Sequence, residues 1–118
     1  MIRVFVMTEL FDTSWKDQSL SDENLQALQV ELLYDPKRGD VIQGTGGFRK
    51  MRFAFPMRGK SNSLRVIYLD IPDFETLYLM LAYPKSEKDT LNPAECNELK
   101  IIAASIKKNL KENRKRRD

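Results

Sequence analysis

Three strand-like segments crowd between residues 48 and 83, joined by connections of only eight and five residues. In FRKMRFAF (48–55), Met51, Phe53 and Phe55 share one face while Lys50, Arg52 and Ala54 take the other, the period-two pattern of a half-buried strand. LRVIYLD (64–70) follows PMRGKSNS, a run of turn formers that reads as a hairpin loop, and TLYLMLAY (76–83) follows the turn IPDFE. Connections this short join antiparallel neighbours, because a parallel pair needs a long crossover. The third segment is the most apolar and is expected at the centre of the sheet.

The flanks supply the remaining elements. Ile2, Val4 and Val6 alternate with Arg3 and Phe5, predicting a first strand over residues 1–7. DTSWKDQ (12–18) reads as a short helix capped by Asp12 or Thr13, with Trp15 anchoring it to the core. Ser21 is placed to cap a second helix, where Leu25, Leu28 and Leu32 recur at helical spacing and Asp35 before Pro36 ends the run. Asn92-Pro93-Ala94-Glu95 reads as a cap, a first-turn proline and a capping-box partner. Leu99, Ile102, Ile106 and Leu110 then line one helical face. The expected order is β-α-α-β-β-β-α: an α+β domain over residues 1–110, its helices packed on one face of a small, mostly antiparallel sheet. Residues 111–118 have nothing to bury and are expected to fray as a basic tail.

The net charge of +3 over 118 residues hides an uneven distribution. Residues 1–40 hold four basic and eight acidic side chains. Residues 49–65 hold six basic ones, Arg49, Lys50, Arg52, Arg58, Lys60 and Arg65, and no acid. Residues 107–118 add seven basic and two acidic, and without them the rest of the chain sums to −2. A solvated strand face would be served as well by mixed signs, which repel less. Clustering one sign costs Coulomb energy, so a polyanionic partner is the expected reason for it. The glycines at 44, 46 and 47 do not look like a phosphate cradle: they run into a strand, and Phe48-Arg49 stand where a P-loop needs Gly-Lys-Ser/Thr. They read as a turn that fixes which side chains of the next strand face out.

Histidine is absent, which removes histidine triads, histidine-ligated zinc and the two-histidine route to RNA cleavage. No metal or cofactor is expected. A single cysteine, Cys96, excludes an internal disulfide and fits a reducing cytoplasm; it reads as a small, partly buried side chain. The apolar run Leu77 to Tyr83 is far short of the roughly 18 residues a membrane span needs. MIRVFVMTELF lacks a small-residue cleavage site and is expected to be a strand, not a signal peptide.

RNA can be cleaved without metal or histidine if a base takes the 2′-hydroxyl proton, cations stabilise the phosphorane and an acid protonates the departing 5′-oxygen. Lysine serves as base if neighbouring cations depress its pKa, and arginine suits the phosphorane because its planar fork cannot lose its proton. Lys50 and Arg52 emerge on one side of their strand, roughly 7 Å apart. Arg65 is expected near the far strand end, Arg58 and Lys60 on the hairpin loop, and Lys85 just past the last long strand.

The run PKRGDVIQGTGGFRKMRF, with LRVIYLD and LMLAYPKSEKDTLNPAE downstream, resembles the RelE/ParE toxin superfamily and within it HigB-type toxins, over about residues 1–108. The resemblance implies the same element order and a toxin of a type II toxin–antitoxin system that cuts messenger RNA in the ribosomal A site. It implies a cognate antitoxin, HigA-like and of helix-turn-helix type, and a toxin that is monomeric alone, cytoplasmic and not membrane-bound. Position by position it assigns Lys50, Arg52, Arg65 and Lys85 to catalysis. Lys50 would be the base, Arg52 and Arg65 would hold the phosphorane, and Lys85 would assist the leaving group. Arg49, Arg58 and Lys60 join them in binding RNA. After Lys85 the chain departs from RelE: Ser86, Thr90 and Leu91 stand where RelE continues with an arginine and a tyrosine. Tyr68 and Tyr83 are the nearby substitutes for that tyrosine, with sheet packing the plainer reading of each. Two alternatives stay open: a ParE-like inhibitor of DNA gyrase, whose relatives lack this cationic strand cluster, and a repurposed RNA-binding domain.

Overall fold

The computed structural model describes residues 2–57, 59–87 and 90–117. Its elements are β1 (Val4–Met7), α1 (Glu9–Asp17), α2 (Asp22–Tyr34), β2 (Asp40–Val41), β3 (Arg49–Met57), β4 (Lys60–Ile71), a 3-10 turn (Pro72–Phe74), β5 (Thr76–Tyr83) and α3 (Pro93–Arg117). The strands lie in the order β1-β5-β4-β3-β2, with β1 parallel to β5 and every other pair antiparallel. This is the α+β architecture expected, with the short β2 added. The central strand, however, is β4, and β5 lies between β1 and β4.

The helices do not share a face, and here the expectation is corrected. Phe11 and Trp15 of α1 and Leu28 and Leu32 of α2 pack against Met51, Phe53, Leu64, Val66 and Leu77. The other face carries Phe48, Ile67, Leu69 and Ile71 under Leu99, Ile102, Ala103 and Ile106 of α3. The physical reason is visible in TLYLMLAY: a strand apolar on both sides needs cover on both sides.

Local chemistry sets the ends. Helix α1 starts at Glu9, ahead of the expected Asp12 or Thr13, because the Thr8 hydroxyl accepts from the Phe11 N–H at 3.0 Å. The same hydroxyl donates to the Met80 carbonyl at 3.0 Å. Trp15 stacks on Phe11 at 5.4 Å between ring centroids, the core anchor expected of it. Ser21 and Asn24 form a capping box for α2, and Asn92 and Glu95 form one before α3. The stretch read as a hairpin loop is largely strand, paired from Arg49 with Tyr68 as far as Met57 with Lys60. Gly59, at φ +75°, takes the positive-φ position of the tight turn that allows this.

Helix α3 does not stop near Leu110. The Arg114 guanidinium lies 3.8 Å from the centre of the Phe74 ring and donates to the Asp73 carbonyl at 2.6 Å, which ties the last turns to the 3-10 turn. The glycine loop seats the middle of the same helix. A Cβ on Gly46, whose φ is +76°, would come within 3.1 Å of the Ala103 Cβ, and Lys107 donates to the Gly46 carbonyl at 2.9 Å. Arg114→Ala is expected to speed amide exchange over residues 111–117 while residues 99–106 keep their protection. Unchanged exchange there would show that the contact holds nothing.

Candidate active site

On the face that α3 covers, the helix stops short of the hairpin end. Arg52 and Ala54 remain exposed there, and Lys50 and Arg65 are half-buried. Strand register aligns the key side chains into rows. Arg52 pairs with Arg65 and Arg65 with Tyr83, forming one row across β3, β4 and β5. Lys50, Ile67 and Leu81 form the next row, about 7 Å away along the strands.

A β-bulge makes this alignment possible. Ile67 pairs with Leu81 but Tyr68 pairs with Leu79, so Met80 is the extra residue on β5. Strict alternation would put Leu81 and Tyr83 on the same face as Leu77 and Leu79. The bulge turns them over, so Leu77 and Leu79 pack under α1 and α2 while Leu81 and Tyr83 join the α3 side. Past the end of β1, hydroxyls of the first turns serve the β5 edge: Thr8 takes the Met80 carbonyl, and Ser14 accepts from the Ala82 N–H at 3.1 Å.

Two arginines directly opposite each other repel. Among the described residues neither Arg52 nor Arg65 has an acidic partner. Arg65 Nη1 is buried without a hydrogen-bond acceptor among them. The sequence has no acid between Asp40 and Asp70. Two planar forks on neighbouring strands suit a phosphate's oxygens, each of which can accept more than one hydrogen bond. Lys85 is exposed on the turn that follows β5, two residues beyond Tyr83 at the end of the same row.

The five expected RNA contacts fare differently. Tyr68 is fully buried on the opposite face: its hydroxyl donates to the Pro36 carbonyl at 2.8 Å and accepts from the Gly39 N–H at 2.9 Å. Burial pushes its pKa up, and at this place in the core the ring packs under the helices instead of facing the cationic row. A Cβ on Gly39 would sit 2.9 Å from both the Lys50 carbonyl and Tyr68 Cε1, so only glycine fits beside the ring. Arg49 also leaves the cationic face, because it lies opposite Tyr68 in register and donates to the Lys37 and Gly39 carbonyls at 3.2 and 2.7 Å. Tyr83 stays in the row but is only 4% exposed, a wall beside Arg65 and not a stacking platform. Arg58 lies outside the described residues, and of Lys60 only the backbone is described, opposite Met57. Tyr68→Phe would strand a buried carbonyl and a buried N–H, so it is expected to lower stability by about 1–3 kcal/mol in urea unfolding. Activity per folded molecule should not change.

Among the described residues no group of three or more His, Cys, Asp or Glu could hold a metal, and no helix is long and apolar enough to cross a membrane. Sequence reasoning missed the bulge at Met80, the capping role of Thr8 and the fit at Gly39, none of which carries a local motif.

Residues 2–116 match a family model described as the RelE toxin of the RelE/RelB toxin–antitoxin system. Among solved structures, the chain is similar to a mutant of the E. coli toxin RelE in the free state. The identity is 17%, 75% of this chain and 90% of that chain are covered, and the TM-score is 0.50. At that identity the likeness speaks for the fold alone.

Proposed function

The chain belongs to the RelE toxin family, and from that membership we propose a ribosome-dependent messenger endoribonuclease, the toxin half of a toxin–antitoxin pair. One observation carries the reading: Arg52 and Arg65 face each other in register on an uncovered sheet face, without an acidic partner among the described residues. In the proposed step Lys50 takes the proton of a 2′-hydroxyl, the 2′-oxygen bonds to phosphorus, and the bond from phosphorus to the 5′-oxygen breaks. Arg52 and Arg65 hold the charge that builds on the equatorial oxygens. Lys85, at the end of the row, supplies a proton to the leaving oxygen. The products are a cyclic phosphate and a free 5′-hydroxyl.

The placement among HigB-type toxins rests on the GDVIQGTGGFRKMRF and AYPKSEKDTL segments. It carries with it a toxin monomeric on its own and a helix-turn-helix antitoxin encoded in the adjacent reading frame.

Messenger 5′ ends mapped after brief induction, and in vitro with and without ribosomes, test the activity. New ends inside translated coding sequence that need ribosomes are expected. Intact messenger accompanied by DNA breaks would replace this reading with gyrase inhibition. Alanine at Lys50, Arg52, Arg65 and Lys85 together should abolish cleavage and leave the circular dichroism spectrum unchanged; full cleavage by that variant would sink the assignment.

A further inference from the structure

A cavity of about 150 Å³ lies one row of side chains away from Arg52 and Arg65, in the row of Lys50, and the chemistry above makes no use of it. Ile67, 1% exposed, forms its floor with Leu81, and Leu91 and Leu99 wall it from the α3 side. Glu95 and Glu98 also line it, and Glu98 is exposed at the mouth. Ile67 and Leu81 pair with each other and follow Arg65 and Tyr83 by one same-face step, about 7 Å along the strands. That step is comparable to the separation between the phosphate and the base of a single nucleotide.

The lining has two chemical properties. Its aliphatic walls favour a flat, uncharged ring and reject a phosphate, whose charge would lose its hydration. The Glu98 carboxylate accepts hydrogen bonds and donates none, while the Glu95 carboxylate already accepts from the Asn92 N–H. Building on the reading of the arginine row as a phosphate site, we infer that this cavity receives a nucleobase of the bound RNA. It selects adenine, cytosine or guanine against uracil. The first three present an exocyclic amino group to Glu98, and a carboxylate accepting from the cytosine amino group is a recurrent base contact. Uracil instead turns a carbonyl oxygen toward the Glu98 carboxylate on either side of its one N–H, which repels it. Continuity with the cationic row decides for a base over a protein side chain, since a strand held at Arg52 and Arg65 brings its own base to this opening.

Nucleoside monophosphates are the probes, titrated into the full chain while the methyl signals of Ile67, Leu81, Leu91 and Leu99 are followed by NMR. CMP is expected to bind about fivefold or more tightly than UMP, the low end of what one good base contact contributes. Glu98→Gln, a change at an exposed position, is expected to remove most of that difference. Methyl signals that stay still with all four nucleotides, or that move equally with UMP and CMP, overturn the inference. The titration reads binding alone, so the two proposals separate: a protein that binds CMP here and leaves messenger intact refutes the nuclease, and cleavage with unmoved methyls refutes the cavity.

Discussion

Arg65→Ala is expected to slow the proposed ribosome-dependent messenger cleavage by about 10²–10³-fold, the usual loss when one preorganised donor to a developing oxyanion is removed. Its Nη1 is already desolvated and without an acceptor among the described residues, so no reorganisation is needed when charge appears on the phosphorane. The fold should tolerate the change, and even gain from it, because a like-charge pair with Arg52 disappears. Arg65→Lys should recover only part of the rate, since an ammonium cannot offer two parallel hydrogen bonds. Single-turnover cleavage on programmed ribosomes, beside urea unfolding of the same proteins, measures both. A normal rate in Arg65→Ala would remove this residue from the site.

Asp70→Ala is expected to cost about 3 kcal/mol of stability, the low end for breaking a buried ion pair by deleting one partner. Arg3 Nε and Nη2 bond the two carboxylate oxygens at 2.7 and 3.2 Å, and the side chains are 9% and 5% exposed. The pair ties the residue before β1 to β4 across β5, and the guanidinium left behind would keep its bond to the Ile2 carbonyl and the charge of Glu75 but lose its bonded carboxylate. Replacing both partners together, Arg3→Met with Asp70→Leu, should restore most of the loss, because no uncompensated charge remains. Urea midpoints at constant slope would show it. A loss no larger than that of an exposed pair, below about 1 kcal/mol, would mean that water reaches the guanidinium.

Much of the architecture was legible because it rests on short-range chemistry. Ser21 and Asn92 mark helix starts through their own side chains, and Pro36 ends α2 by local sterics. Alternation in β3 sorted Lys50 and Arg52 from Met51 and Phe53, so the two cations could be named together. Thr8 does not stand out from Asp12 and Thr13 as a cap in the sequence, because the bond that holds its hydroxyl in place, to the Met80 carbonyl, spans 72 residues. The tail reads as frayed in the sequence because the groups that anchor Arg114, the Phe74 ring and the Asp73 carbonyl, lie about 40 residues back along the chain.

The sequence by itself determined which residues are cationic, which strand faces they share and that no acid lies between Asp40 and Asp70 to neutralise them. Those properties follow from residue identity and a period of two, and need no knowledge of neighbours. Tertiary structure alone decided where the candidate site lies. The bulge at Met80 turns Tyr83 onto the cationic face, register sets Arg65 opposite Arg52, and α3 covers one end of that face while leaving the other open. Each of these depends on how one strand meets the next, and a one-residue slip in pairing reverses every side chain beyond it.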